Sequence, residues 1–195
     1  MELVPLIYIK DGKLLAGKDG KPLSIDDLFK RVEKDAMLYI LDLDGIAHYN
    51  ANFDLYQKLT EHCILWIDNG PRRIDDVMDT IMAGATTITV RTALWPETDI
   101  PGILEITDDE IYLAITPENK EQPRALLHAY ESLGAVVFSE EPQLEQNFSY
   151  ANMFNNTTLK DKIYLYTIPH MNALYWEQRG VTGILVDLDK KEGGV

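Results

Sequence analysis

The chain has 195 residues with 46% hydrophobic and 26% charged side chains, values typical of a single globular domain spanning residues 1–195. Its 32 acidic residues outnumber its 18 basic ones, and the resulting charge of −14 disfavours binding to nucleic acid. The sequence contains no run of 18 apolar residues, so neither a membrane-spanning helix nor a membrane partner is predicted.

Cysteine content and the first residues of the chain bear on the cellular compartment. The sequence has one cysteine, Cys63, which lies in the apolar run Cys63–Ile67, where a buried core thiol is the expected role. The N-terminus has no basic region and no small-residue cleavage site, so no signal peptide is predicted. Together these features predict a cytoplasmic protein.

Short apolar runs recur along the chain and are rich in β-branched and aromatic residues, which favours β-strands. Most are nearly continuous rather than alternating, a pattern typical of parallel strands buried on both faces. The predicted strands are Val4–Ile9, Met37–Leu43, Cys63–Ile67, Thr87–Val90, Ile111–Ile115, Ala135–Phe138, Ile163–Ile168 and Gly183–Val186.

Helical patterns lie between these runs. Four helices are predicted, at Ser24–Val32, Ile74–Ala83, Gln122–Leu133 and Met171–Arg179. The first opens with a serine cap, and the other three end at a glycine just before a strand. This repeated helix–glycine–strand unit is the signature of α/β winding.

Eight such strands in one domain predict a small (βα)8 TIM barrel, although a doubly wound open sheet would show the same spacing. Some helices should be reduced, because the segment Thr92–Asp109 is proline-rich and poorly periodic. The residues Leu188–Val195 leave no room for a full helix after the last strand, so the eighth helix is expected to be missing.

Three segments of the first half resemble a known family. Val4–Lys13 resembles the first strand of the ProFAR isomerases (HisA type) and of the related cyclase (HisF type). Leu38–Ile46, with its Asp-Leu-Asp-Gly ending, is similar to their second strand. Asp68–Thr92 is similar to their third strand, glycine-rich loop, helix and fourth strand. The HisA/HisF-related proteins of tetrahydromethanopterin-linked C1 metabolism are the relatives that the chain resembles most.

The departures from that family concern its chemistry. The isomerases use an aspartate after strand one and another after strand five, and the matching positions are Tyr8 and about Thr116 here. Neither side chain replaces a carboxylate near neutral pH, so ProFAR isomerisation is not expected. The phosphate loops after strands seven and eight also lack their glycines, since they read Thr167–His170 and Asp187–Asp189.

One side of the ancestral site is retained in sequence. Gly70, Arg72 and Thr92 match positions where the family holds a second phosphate, and Arg91 replaces a family glycine and adds a positive charge. These residues are therefore candidate ligand-binding residues, and Arg72→Ala and Arg91→Ala are expected to weaken binding of a phosphate-bearing ligand. The alternative is that Gly70 forms a turn and that the arginines are surface ion-pair partners.

The strand ends of such a barrel collect at its mouth, where further candidates gather. Asp42 and Asp44 are candidate catalytic carboxylates, on the assumption that they share a strand face, and His170 is a candidate proton shuttle. Tyr8, Lys10 and Thr116 are candidate ligand-binding residues. The alternative for both aspartates is that they cap turns, and no metal site is assigned to them.

These observations predict a HisA/HisF-like barrel that binds or acts on a small phosphorylated or carboxylated metabolite without ProFAR isomerase activity. A non-catalytic binding or scaffolding subunit and a divergent ProFAR-type isomerase stay open as alternatives. The predicted partner is a small anionic metabolite, and no cofactor is predicted. A homodimer is expected at the gap of the eighth helix, where Ile7 and Ile9 would otherwise face water.

Overall fold

The apolar runs of the sequence form a sheet. The computed structural model describes residues 1–108, 110–116, 133–138, 162–166, 173–178 and 180–191. In chain order its strands are β1 (Glu2–Lys10), β2 (Lys13–Leu15), β3 (Pro22–Leu23), β4 (Met37–Asp42), β5 (Ile64–Asp68), β6 (Ala85–Val90), β7 (Glu110–Ile115), β8 (Gly134–Phe138), β9 (Ile163–Tyr166) and β10 (Gly183–Asp187).

Eight of these strands close into a parallel barrel. β1 pairs in parallel with β4 on one side and with β10 on the other, so that Leu6 stands opposite both Tyr39 and Asp187. The remaining parallel pairs run from β4 to β10 in chain order. This closure confirms the predicted TIM-like α/β barrel and excludes the doubly wound open sheet, whose edge strands do not meet.

Helices connect the strands on the outside of the barrel. In the described part of the chain they are α1 (Ile25–Arg31), α2 (Leu43–His48), α3 (Phe53–Leu59), α4 (Ile74–Met82), α5 (Ile100–Ile106), α6 (Ala173–Glu177) and α7 (Leu188–Lys191). Ser24 caps α1 as predicted, because its hydroxyl accepts from the Asp27 amide at 3.1 Å. The short α5 agrees with the reduced helix expected in this region, whereas the predicted helix Gln122–Leu133 lies outside the described residues.

Aromatic side chains fill the barrel interior. Trp66 is fully buried near its centre, with ring centroids 4.3 Å from Tyr112, 4.7 Å from Tyr164 and 5.0 Å from Tyr39. Phe138 continues this series at 6.3 Å from Tyr39. The barrel is therefore a packed core, so ligand chemistry would have to take place above it, at the ends of the strands.

A second apolar layer lies between the strands and the helices. Ile7 and Ile9 are fully buried there, in a cluster that also holds Leu14, Leu28 and Leu188. The expectation that Ile7 and Ile9 face water is therefore wrong, because α1, α7 and the β2 strand cover the outer face of β1. The homodimer stays a prediction, but it cannot rest on this surface.

The structure also bears on the predictions for Cys63 and for membrane-spanning helices. Cys63 is a buried free thiol, 6% exposed, which confirms its predicted role as a core residue. No helix in the described part of the chain is long and apolar enough to span a bilayer.

Candidate functional site

Four polar residues mark the carboxyl ends of the strands at the barrel mouth. Tyr8 stands near the end of β1, Asp68 ends β5, Arg91 follows β6 and Asp187 ends β10. In a barrel of this type the functional site is built at these ends. These four residues bring two carboxylates, one guanidinium and one phenol to the mouth, and Tyr166 at the end of β9 adds a second phenol.

Asp68 and Arg91 form a buried ion pair. Arg91 Nε lies 2.8 Å from Asp68 Oδ1, and Arg91 Nη2 lies 2.6 Å from Asp68 Oδ2. The Asp68 side chain is fully buried and that of Arg91 is 14% exposed. Tyr39 donates its one hydroxyl proton to Asp68 at 3.0 Å, and its oxygen lies 3.1 Å from Thr89 Oγ1. The charge of Arg91 is thus balanced within the chain by Asp68.

A second cluster joins two phenols to Asp187. Tyr8 donates to Asp187 Oδ1 at 2.9 Å, and its oxygen lies 2.7 Å from that of Tyr166. The Lys190 ammonium lies 3.1 Å from Asp187 Oδ2. Burial, followed by the contacts with Tyr166 and Asp187, raises the pKa of Tyr8 far above its ordinary value. Tyr8 therefore stays protonated and acts as a hydrogen-bond donor, not as a base.

Phe138 separates these two clusters at the mouth. Its ring lies 5.0 Å from the guanidinium carbon of Arg91 and 5.8 Å, between ring centroids, from Tyr166. Phe138 is 8% exposed and Tyr8 is 1% exposed. The described residues of the mouth are thus packed against one another, with an aromatic ring between the two charged groups.

Asp42 is buried on the helix side of β4 and not in the mouth, since it stands opposite Ile9 of the outer layer. Its Oδ1 accepts from the amides of Asp44 and Gly45 at 3.0 and 3.1 Å, which makes it the N-cap of α2. Its Oδ2 accepts from the Asn52 amide at 2.9 Å and from the Tyr56 hydroxyl. Asp42 therefore links α2 to α3, and burial raises the pKa of Tyr56 above its ordinary value.

Asp44 holds the turn of the neighbouring hairpin. Its carboxylate accepts from the amides of Asp11 and Gly12 at 2.8 and 2.9 Å, and from Asn52 Nδ2 at 3.1 Å. Asp11 and Gly12 have φ values of 51° and 66°, as a two-residue turn between β1 and β2 requires. Burial acts to raise the pKa of Asp44, but these hydrogen bonds outweigh it and lower the pKa.

The structure does not place Asp42 and Asp44 on one strand face. The strand ends at Asp42, and Leu43 already begins α2, so the alternation of a strand does not extend to Asp44. The two carboxylates are linked through Asn52, which donates to both. The structure thus brings them together as elements that order the loops above β4.

The segment around Gly70, where the sequence resemblance predicts a phosphate site, is closed by apolar contacts. Gly70 has a φ of 68°, and a Cβ atom added to it would lie 2.7 Å from Leu94 Cδ1 and 3.1 Å from Ile46 Cα. Leu94 belongs to the turn that begins at Arg91, since its amide donates to the Arg91 carbonyl at 3.0 Å. Thr92 lies in the same turn and is partly buried. Leu94 therefore covers the backbone of Gly70, where an anion would need close approach.

Arg72 points to the helices beside the barrel. Its Nη2 donates to the Ile46 carbonyl at 3.2 Å, and its guanidinium carbon lies 4.7 Å above the Tyr49 ring. Its backbone amide donates to Asp76 Oδ2 at 2.8 Å. The Nε atom of Arg72 is buried without a hydrogen-bond partner. Arg72 and Arg91 are thus bound to different parts of the fold and do not form a joint anion site.

The other candidates from the sequence are placed as follows. Lys10 is exposed at the end of β1, next to the hairpin turn, and Thr116 is buried directly after β7. His170 lies outside the described residues. Within the described residues, no group of three or more His, Cys, Asp or Glu side chains is arranged to hold a metal ion.

A small cavity of about 190 Å³ lies outside the barrel, between the α2–α3 connection and the start of α4. Its walls include Tyr49, Phe53, Asn69, Arg73 and Asp76. Asp76 is occupied there, because Tyr49 donates to it at 2.8 Å and Arg73 Nε lies 3.1 Å away. Asn69 Oδ1 is buried without a partner, but it is not accessible to a ligand in the cavity.

Sequence reasoning did not select several residues that define the mouth. Tyr39 and Tyr166 are the phenols that hold Asp68 and Asp187, and Lys190 completes the second cluster. A signal was present for Tyr39, because it alternates with Leu41 on the inward face of its strand. Lys190 follows Asp187 by three residues, a spacing that brings the two side chains together only when a helix begins directly after the strand.

Comparison with known proteins leaves the family of the chain open. No model of a protein family matches the sequence, and no curated protein matches it.

Proposed function

We propose that this protein is a non-catalytic binding or scaffolding subunit built on a HisA/HisF-like barrel. One observation carries the proposal. Four carboxylates at or just after the carboxyl ends of β4, β5 and β10 are buried, and each accepts hydrogen bonds from two or more donors of its own chain. These carboxylates are Asp42, Asp44, Asp68 and Asp187.

Such carboxylates are poor general bases. A base must offer a lone pair to the substrate at hydrogen-bond distance, and it must be able to take up the proton. At Asp68 both oxygens face donors, since Arg91 binds Oδ1 and Oδ2 and Tyr39 donates to Oδ2. The engaged carboxylates therefore support a structural role and disfavour acid–base catalysis.

The resemblance of the first half of the chain to the HisA and HisF barrels supports the same proposal. In the isomerases the first strand ends on a catalytic aspartate, and Tyr8 occupies that position here. The phenol of Tyr8 is protonated and is bound to Asp187 at 2.9 Å. A divergent ProFAR-type isomerase would need another base at this point, and none of the described neighbours of Tyr8 is placed as one.

The test is turnover by the purified protein together with complementation of an isomerase-deficient strain. We expect no conversion of ProFAR above background and no complementation. Turnover that is lost in Asp68→Asn or Asp187→Asn, while both variants stay folded, would contradict the proposal and would identify the catalytic carboxylate. Tyr49→Phe is a suitable control, because it removes an exposed hydroxyl bound to Asp76, far from the mouth pairs.

A second function, binding of a small carboxylated or phosphorylated metabolite, is favoured by one observation. The hydroxyl of Tyr8, which is bonded to that of Tyr166, and the ammonium of Lys190 hold a single carboxylate at the mouth. A ligand anion would bind these donors in place of Asp187, which occupies them in the structure. The same donor types recognise carboxylates and phosphates in ligands. Calorimetric titration with inorganic phosphate and with small dicarboxylates separates the two functions, since a scaffolding subunit releases no heat of specific binding.

Membership of the HisA/HisF-related proteins, with a place in C1 metabolism, is part of this proposal. So is the missing eighth helix, at whose position the structure describes the four helical residues of α7, directly after β10. α7 is held against the barrel by Arg31, whose Nη2 donates to the Leu188 carbonyl at 2.9 Å. This contact supports α7 as the element that covers the junction of β1 and β10 in place of a longer helix.

A further inference from the structure

We propose that Tyr8, Tyr166 and Lys190 form a binding site for one carboxylate at the barrel mouth, and that Asp187 fills this site from within the chain. We call these three residues the carboxylate cradle. The proposal goes beyond the function proposed above and holds whether or not the barrel has a substrate, because it concerns only what these donors bind.

The geometry of the cradle is that of anion recognition. Two of its groups donate to opposite oxygens of Asp187, with Tyr8 2.9 Å from Oδ1 and Lys190 3.1 Å from Oδ2, and the Tyr166 hydroxyl lies 3.5 Å from Oδ2. Hydrogen bonds to an ionised acceptor are about twice as strong as neutral ones. The cradle thus offers one positive charge and one phenol proton to a single negative charge.

The two phenols are joined in series. Tyr8 and Tyr166 lie 2.7 Å apart, and Tyr8 has one proton, which it gives to Asp187. Tyr166 therefore donates to the oxygen of Tyr8, and this second bond increases the polarity of the first. Tyr8 stays protonated because burial raises its pKa. The carboxylate of Asp187 is the final acceptor in this series of hydrogen bonds.

Burial explains why the site must be filled. Asp187 is 4% exposed and Tyr8 is 1% exposed, so the Tyr8 hydroxyl has little access to bulk water, whereas the Lys190 side chain is 43% exposed. A buried donor without an acceptor costs free energy, which makes an empty cradle unfavourable. The carboxylate at the end of β10 prevents that cost, and it also blocks an external anion from the same donors.

The atoms of Asp187 define the test. Substitution of Asp187 by alanine removes the carboxylate carbon and its two oxygens, which together correspond to one formate ion. Substitution by glycine removes the Cβ atom as well, and the four missing heavy atoms correspond to acetate. Formate should therefore fit Asp187→Ala, whereas acetate should need Asp187→Gly. A chloride ion does not correspond to the atoms removed in either variant.

The experiment measures thermal unfolding of Asp187→Ala in sodium formate, sodium acetate or sodium chloride at equal ionic strength. With ~100 mM formate and a Kd of ~10 mM, we expect a rise in Tm of about 3 °C over chloride. Acetate should give less for Asp187→Ala and as much as formate for Asp187→Gly. The wild-type protein should show no difference between the three salts.

Asp189→Ala is the matched control. It removes the same charge two residues later, from an exposed position in α7, and leaves the cradle intact. We expect no formate effect in this variant, and we expect the effect in Asp187→Ala to be lost when Lys190→Ala or Tyr8→Phe is added.

Three results would overturn the proposal. The first is an equal Tm of Asp187→Ala in formate and chloride, and the second is a formate effect of the same size in Asp189→Ala. The third applies if Asp187→Ala does not fold in chloride. In that case, failure of formate to restore the folded circular dichroism spectrum of this variant counts against the cradle.

Discussion

The guanidinium of Arg91 holds the fully buried carboxylate of Asp68 through both oxygens, at 2.8 and 2.6 Å. Removal of one partner leaves the other as an uncompensated buried charge, which typically costs about 3–5 kcal/mol. We therefore expect Arg91→Ala to lower the free energy of unfolding by about that amount, as measured by urea denaturation. Arg73→Ala, which removes an exposed partner of Asp76, should cost less than about 1 kcal/mol.

A double variant identifies the cause of this loss. Asp68→Asn combined with Arg91→Ala removes both charges, so the double variant should be more stable than Arg91→Ala alone. If it is not, the lost packing of Arg91 on Phe138 accounts for the effect, and the uncompensated charge does not.

Substitution of Asp42 is expected to lower the stability of the fold. Asp42→Ala removes the cap of α2 and leaves the hydroxyl of Tyr56 without its acceptor, so the free energy of unfolding should fall by about 2–4 kcal/mol. Tyr56→Phe removes only the hydroxyl and should cost about 1 kcal/mol. An Asp42→Asn variant that keeps full stability while losing a measured enzymatic activity would contradict the structural role.

The contact between Gly70 and Leu94 can be tested with two glycines of positive φ. Gly180 has a φ of 84° and nothing within 4 Å of an added Cβ, so Gly180→Ala should cost only the backbone strain, about 1–2 kcal/mol. Gly70→Ala adds a clash with Leu94 and should cost more. The addition of Leu94→Ala should recover part of that difference, and an unchanged loss would place the strain elsewhere.

The lowered pKa of Asp44 predicts how stability depends on pH. Its folded pKa lies below the ordinary value of 3.8, so the ionised carboxylate contributes stability that is fully present above that value. The contribution is lost as the pH falls through the folded pKa. The difference in unfolding free energy between wild type and Asp44→Asn should therefore be largest near pH 6 and shrink below pH 3.8. A difference that does not change with pH would contradict this assignment.

Cys63 should be unreactive while the protein is folded. Burial, followed by the nearby charge of Asp35, raises the pKa of its thiol to about 11. Because the thiolate is the reactive form, a colorimetric thiol reagent at pH 8 should label the native protein very slowly and the unfolded protein at once. Rapid labelling under native conditions would show that the strand opens locally.

The order of the barrel strands can be predicted from the sequence, because each strand is a short apolar run that is buried on both faces of the sheet. The predicted run Ala135–Phe138 and the observed strand Gly134–Phe138 differ by one residue. The helices α2 and α3 were missed, because Asp42 reads equally well as a strand residue and as a helix cap. Only the hydrogen bonds of Asp42 show which of the two it is.

The sequence predicts which residues lie at the barrel mouth, but it does not predict which of them pair with each other. The sequence predicts both Asp68 and Arg91 at strand ends, but it leaves open whether Arg91 binds a ligand or is an ion-pair partner. Their pairing follows from the adjacency of β5 and β6, combined with an inward direction for both side chains. Sequence spacing does not fix that direction for Arg91, because it lies one residue beyond the end of its strand.

The seam between β1 and β10 also determines how the protein can fold. Tyr8 and Asp187 are 179 residues apart in the chain, so their contact closes one of the longest loops available to it. Contacts of such separation form late and make folding slow. During synthesis β1 must wait for β10 with one edge unpaired, a state in which strands of other chains can add to it. We therefore expect the seam to be the last part of the barrel to form and aggregation during refolding to start from the open edge of β1.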